Sequence, residues 1–244
     1  MTYCLGIKLK EGLVAIADTR ITSGTETSTA AKYQIFKNEK QGLFIMTSGL
    51  RSVRDKSVTY FSEVLHEKFD KLDKMYQAVN LFGDQIKKVA KEDKETLKES
   101  GLSFNIHVIV GGQLTGDDEH KLFLLYPEGN WIEIGNGYPY TIIGNSGYGK
   151  PILKRTLTYD SSIRFALKTG FLSFDSTRVS ASDVDYPIDV IIYRRDSNKF
   201  EVQRFEHREM QTISKMWGEL LTNAIDKVPE DWMNKFLHEE KKLS

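Results

Sequence analysis

The sequence predicts an α+β fold in which antiparallel sheets stack face to face and helix pairs cover their outer faces. Three observations lead there. Strand-like runs come in clusters, at the start of the chain, in its middle and again near residue 190. Runs with helical period come in pairs between those clusters. Within the first cluster the strands are separated by tight turns, which suit antiparallel neighbours, and nowhere does strand alternate singly with helix as in parallel βαβ units. Stacking two such sheets would bury the apolar face of every element.

The elements follow in order. Residues 3–9 and 13–17 are β-rich and are separated by Lys10-Glu11-Gly12, which reads as a hairpin turn. Residues 22–29 are rich in Thr and Ser and read as a loop. Residues 34–36 and 43–47 flank Gly42 as a second hairpin. The period then changes. Val58, Phe61, Val64, Leu65 and Phe69 recur at steps of three and four, as do Met75, Val79, Phe82 and Ile86, predicting two amphipathic helices that end near Ser100-Gly101. Strands are expected at 104–110, 121–126 and 140–143, helices at 149–157 and 161–174, and strands again at 188–193 and 200–205. A last helix is expected from 209 to 227, with a charged tail behind Pro229. With no repeat, low-complexity tract or linker, 1–244 reads as one domain with a C-terminal helical extension over 208–244.

Composition narrows the function. Apolar residues make up 40% and charged residues 28% of 244, ordinary values for a globular chain. Lys+Arg and Asp+Glu stand at 34 each, so nothing points to nucleic acid. The single Cys4 excludes an internal disulfide and fits a reducing, cytoplasmic setting. No apolar run approaches the ~20 residues of a membrane span, and no secretory signal opens the chain. The five histidines lack metal-ligand spacing, and "GNSGYGK" lacks the spacing of a phosphate loop, so neither metal nor cofactor is expected.

The opening "MTYC" is unusual because a strand follows Met1 with no polar lead-in. A tied-down terminus has a sheet to join or work to do. Removal of Met1 would leave Thr2 as the amino terminus, and threonine is small enough for methionine trimming. In "GLVAIADTRITSG" an apolar strand runs into Asp18 and Arg20. Asp18 alone reads first as a turn cap paired with a nearby Arg. If the first two strands form a hairpin, however, Asp18 returns to the end where Thr2 begins. Cys4, on the same strand as Thr2, reads as a packing residue.

Taken together, the Thr-first strand, "VAIADTRITSG", the lysine after the following loop, "MTSGLRS" and "GNSGYG" resemble proteasome β-type subunits. With the "MTYC" opening and "SFDSTR" near residue 175, the chain is similar more narrowly to Anbu, the ancestral β-subunit family of bacteria. The resemblance implies an N-terminal-nucleophile hydrolase with a four-layer αββα sandwich. It implies that Thr2 attacks an amide carbonyl through its hydroxyl, with its own α-amine as base; that amine has a pKa near working pH. By the same resemblance, Lys32 stands beside the Thr2 hydroxyl and Asp18 holds Lys32. Gly49 supplies an oxyanion-binding N–H, and Ser146 and Asp175 orient the amine. Thr22, Thr47 and Gly49 line the substrate site. The chain departs from the family pattern after Asp175, where a serine is expected three residues on and Arg178 stands instead. The loop before Lys32 is also shorter. The resemblance further implies a homo-oligomer, as a ring or open helical stack, acting on peptides or proteins, with an ATP-dependent unfoldase a common partner of relatives. Two other functions fit the same residues: a small-molecule amide hydrolase, and a self-assembling scaffold with little catalytic activity.

Overall fold

The first two strands set the frame. β1 (Tyr3–Leu9) and β2 (Gly12–Asp18) are buried at every position, so they must be covered on both faces. The computed structural model describes residues 2–23 and 26–236, and the side chains of all of these except 22, 23, 26 and 27. In it, β1 and β2 pair antiparallel around the predicted turn. They are flanked by β10 (Tyr140–Gly144) on one side and by β11 (Ile188–Arg194) and β12 (Phe200–Phe205) on the other, in the order β10-β1-β2-β11-β12. A second sheet follows the order β5-β6-β7-β8-β9, made of Tyr33–Lys37, Gly42–Gly49, Ile106–Gln113, Lys121–Leu125 and Trp131–Glu133.

These two sheets share a core. Cys4, Leu13, Ala15 and Ala17 of the first pack with Phe44, Met46, Ile109 and Leu122 of the second, which covers one face of β1 and β2. Their other face meets α4 (Ile163–Ser180), where Phe174 stands edge-on to Tyr3 at 5.9 Å. Ser162 caps α4 by accepting the Phe165 N–H at 3.2 Å. On the outer face of the second sheet, α1 (Arg51–Lys68) and α2 (Met75–Glu99) bury Phe61, Leu65, Val79, Phe82 and Ile86 against Leu43, Val108 and Val110. Phe61 and Phe82 stack at 4.4 Å and join the two helices. α3 (Lys150–Thr156) precedes α4.

The four-layer αββα sandwich expected from the sequence is corrected here. The described residues form a mixed α/β fold of three antiparallel sheets and five helices, not a closed four-layer αββα sandwich. The third sheet comes from the stretch expected to be a loop: β3 (Arg20–Ser23) and β4 (Glu26–Thr29) pair as a hairpin. Its threonines and Ile21 are β-branched, so they favour extended backbone. The fifth helix, α5 (His207–Ile225), buries no residue. The chain divides into two compact units, Met1–His207 and Arg208–Ser244. Among the described residues no helix is long and apolar enough to cross a membrane.

Candidate active site

The β1–β2 hairpin places Cys4 opposite Ala17, so Asp18 comes back to the start of β1. There the Tyr3 N–H donates to Asp18 Oδ1 at 2.8 Å, and the Lys32 ammonium donates to the same oxygen at 2.6 Å. Both side chains are buried. Each charge therefore compensates the other where water does not reach. Burial pushes the Asp18 carboxyl above the ordinary carboxylate range, opposed by the Lys32 charge and hydrogen bond and by the Tyr3 N–H. Asp18 Oδ2 is buried with no hydrogen-bond partner among the described residues. The arginine near Asp18 in sequence goes elsewhere: Arg20 pairs with Asp185 at 3.0 Å. Lys32 is held from behind as well, since its carbonyl accepts the Thr47 N–H at 3.0 Å.

Thr2 is fixed through its carbonyl, which accepts the Asn145 N–H at 2.7 Å. The turn that brings Asn145 there depends on Gly144, which lies opposite Tyr3 with φ +84°. A Cβ at 144 would overlap the Thr2 carbonyl oxygen. Only glycine permits both the backbone conformation and the close approach. Next to Thr2, the Tyr3 hydroxyl donates to Ser173 at 2.7 Å, and Ser173 donates to the Gly149 carbonyl at 2.8 Å. This chain ties β1 to α4.

A cleft of about 700 Å³ opens beside Thr2, and Lys32, Gly49 and Ser146 line it. Gly49 ends β6 with φ +119°, and a Cβ there would overlap the Asn105 carbonyl. Its strand-end geometry alone thus requires glycine, whatever its N–H does. Thr47 is buried and lines an adjoining pocket of about 230 Å³ that shares Lys32 and Arg54 with the cleft. Asp175 does not line the cleft. It is buried on α4 and accepts from Arg178, with Nη2 at 3.0 Å and Nε at 3.3 Å. Arg178 thus replaces the expected serine with an ion pair one helical turn on. Thr22 lies on β3, but its side chain falls outside the described residues, as does all of Met1. Cys4 packs in the inter-sheet core, where burial pushes its thiol up to about 12 and keeps it protonated.

Arg51, Arg54, Asn105 and His107 also line the cleft, and none of them stands out in the sequence as a site residue. Arg51 and Arg54 were legible as an i, i+3 pair just after Gly49, had the helix been started there instead of near Val58. Burial lowers the His107 pKa, with Glu128 opposing. Among the described residues no group of three His, Cys, Asp or Glu side chains is placed to hold a metal ion.

No family model matches the chain, and no curated protein matches it. Solved structures do match. An Anbu (Gly-1) mutant from Hyphomicrobium sp. strain MC1 is 31% identical with a TM-score of 0.86, over 94% of this chain and 99% of that one. Anbu (ancestral beta-subunit) from Yersinia bercovieri is 32% identical with a TM-score of 0.84, over 93% and 98%. A structure described as the helical assembly of the Anbu complex from Pseudomonas aeruginosa is 28% identical with a TM-score of 0.84, over 93% and 97%. Identity above 30% across nearly the whole of both chains goes beyond a shared fold, and the chain belongs to the Anbu (ancestral beta-subunit) family, relatives of the proteasome β-subunits.

Proposed function

We propose that this chain is a threonine-type peptidase whose nucleophile is Thr2, exposed as the amino terminus by removal of Met1. The observation that carries the reading is the convergence of Thr2, Lys32, Gly49 and Ser146 on one cleft, with Asp18 bonded to both Lys32 and the Tyr3 N–H. In the proposed reaction the Thr2 hydroxyl oxygen bonds to the amide carbonyl carbon and gives its proton to the Thr2 α-amine. The C–N bond then breaks, and the α-amine passes that proton to the departing amine. Water hydrolyses the resulting ester and regenerates the hydroxyl. The Lys32 ammonium favours loss of the hydroxyl proton by its charge. The Gly49 N–H faces the developing oxyanion, a contribution typically worth about 10²–10³ in rate. Ser146 orients the amine, and Thr47 borders the site from the adjoining pocket. Asp175, paired with Arg178, supports α4 behind β1.

We further infer that the protein works as a cytoplasmic homo-oligomer, a ring or an open helical stack. The support is the family and the helical assembly described for the Pseudomonas aeruginosa relative. Thr2→Ala tests the nucleophile, because it removes the hydroxyl and leaves the backbone contacts of residue 2 in place. Hydrolysis of a fluorogenic peptide should fall to background with the circular dichroism spectrum unchanged, and Thr2→Ser should retain part of the rate. Cleavage by Thr2→Ala at the wild-type rate would move the nucleophile elsewhere.

A further inference from the structure

The Thr2 cleft has an unbalanced charge lining. Four cations border it, Arg20, Lys32, Arg51 and Arg54, and no carboxylate does among the described residues. Three of the four are neutralised from outside the lining: Lys32 by Asp18 at 2.6 Å, Arg20 by Asp185 at 3.0 Å and Arg51 by Asp55 at 3.4 Å. Arg54 has no ion pair among the described residues, and its Nε is buried with no acceptor. The Nε of Arg20 is likewise buried and without an acceptor. Buried N–H donors are normally satisfied, and each exception calls for a reason. Among the buried side-chain atoms left without a partner among the described residues, these two are guanidinium nitrogens of residues that line the same cleft. A guanidinium is shaped to hold a carboxylate through two parallel hydrogen bonds.

We propose that the Thr2 cleft selects peptides that present a carboxylate, which Arg54 binds directly. This rests on reading the cleft as the substrate site and names its substrate class. The carboxylate has two sources, an acidic side chain or a free peptide C-terminus, and both offer Arg54 the same two oxygens. The adjoining pocket also reaches Arg54; Thr47 and Tyr33 line it, as does Asp55, whose carboxylate is paired with Arg51.

Fluorescence anisotropy with the full-length Thr2→Ala protein separates binding from turnover. Three labelled peptides of otherwise identical sequence are compared: one with Glu and an amidated C-terminus, one with Gln and an amidated C-terminus, and one with Gln and a free C-terminus. At least one carboxylate peptide should bind about tenfold or more tightly than the neutral one, as a charge-assisted bond warrants. The tighter of the two identifies the source, and the preference should shrink as salt rises. Added Arg54→Gln should bring all three peptides within about twofold, and Arg54→Lys should recover part of the preference. Equal affinities, no binding by any peptide, or a preference that survives Arg54→Gln overturns the proposal. Since the Thr2→Ala protein with Arg54 intact is measured whether or not Arg54→Gln folds, the neutral-against-acidic comparison decides on its own. Failure of Thr2 as nucleophile is read separately: peptide hydrolysis persisting in Thr2→Ala would coexist with an intact carboxylate preference.

Discussion

At the scale of single residues, the account turns on Asp18 and Lys32. They share one short hydrogen bond in a site that water does not reach. Removing one partner of such a pair strands the other charge, which typically costs about 3–5 kcal/mol, whereas replacing both with apolar groups of similar volume costs far less. Lys32→Met should therefore destabilise by about that amount in urea unfolding, and Asp18→Leu combined with it should recover most of the loss. Additive losses would mean that the two charges do not depend on each other. The pH dependence has a definite sign. The Asp18 carboxyl is raised by burial, so between its unfolded value of about 3.9 and its folded value the native state holds the extra proton. This group's contribution to stability therefore falls as pH rises through that window. Activity runs the other way, because the ionised carboxylate is the form that holds Lys32 charged. The acid limb of the kcat/KM profile should lie above the ordinary carboxylate range, since the Thr2 α-amine must also lose its proton to act as base. A limb near pH 4 would contradict both the amine as base and the ionised Asp18 as its support.

At the scale of elements, strand pairing carries the site. β10 reaches Thr2 through the turn at Gly144, and the Asn145 N–H closes on the Thr2 carbonyl. Gly144→Ala brings a Cβ onto that carbonyl at a positive φ. We expect a loss of about 1–3 kcal/mol together with a drop in turnover, since residue 2 must shift to make room. Thermal unfolding and single-turnover rates on the same sample check both, and a variant with wild-type values would show that the turn does not position Thr2. Much of this geometry was legible in the sequence. The turn at Lys10-Glu11-Gly12 fixed the hairpin, and the hairpin alone returns Asp18 to Thr2. What escaped had a physical cause. Residues 22–29 are polar enough to read as a loop, yet the stretch is rich in β-branched residues, and Arg20–Ser23 and Glu26–Thr29 pair as β3 and β4. The start of α1 lacks a side-chain cap, so its first turn, with Arg51 and Arg54, gave no N-terminal signal. Asp175 matched a motif, but Arg178 three residues on gives it a partner on its own helix, and a motif does not reveal that substitution's geometry.

At the scale of the whole molecule, the open matter is what the apolar C-terminal segment does. α5 buries no residue, and Met216, Leu220 and Leu221 are exposed along it, with Trp232 and Phe236 exposed at 57% and 76% beyond Pro229. Bulky apolar groups in that number are unusual on a lone globular chain, and they fit the proposed homo-oligomer. Truncation after Pro229 should lower the particle mass in multi-angle light scattering while keeping the secondary structure; an unchanged mass would place assembly in other surfaces. The central claim, however, is chemical: Thr2 is the amino terminus and the nucleophile. Intact-protein mass spectrometry before and after incubation with a peptide epoxyketone, which captures both the hydroxyl and the α-amine of a terminal threonine, tests it most directly. The protein should lack Met1 and gain one reagent mass, with the adduct on Thr2 and none on the Thr2→Ala protein. A peptide-cleaving preparation that retains Met1, or that gains no adduct at Thr2, would contradict it.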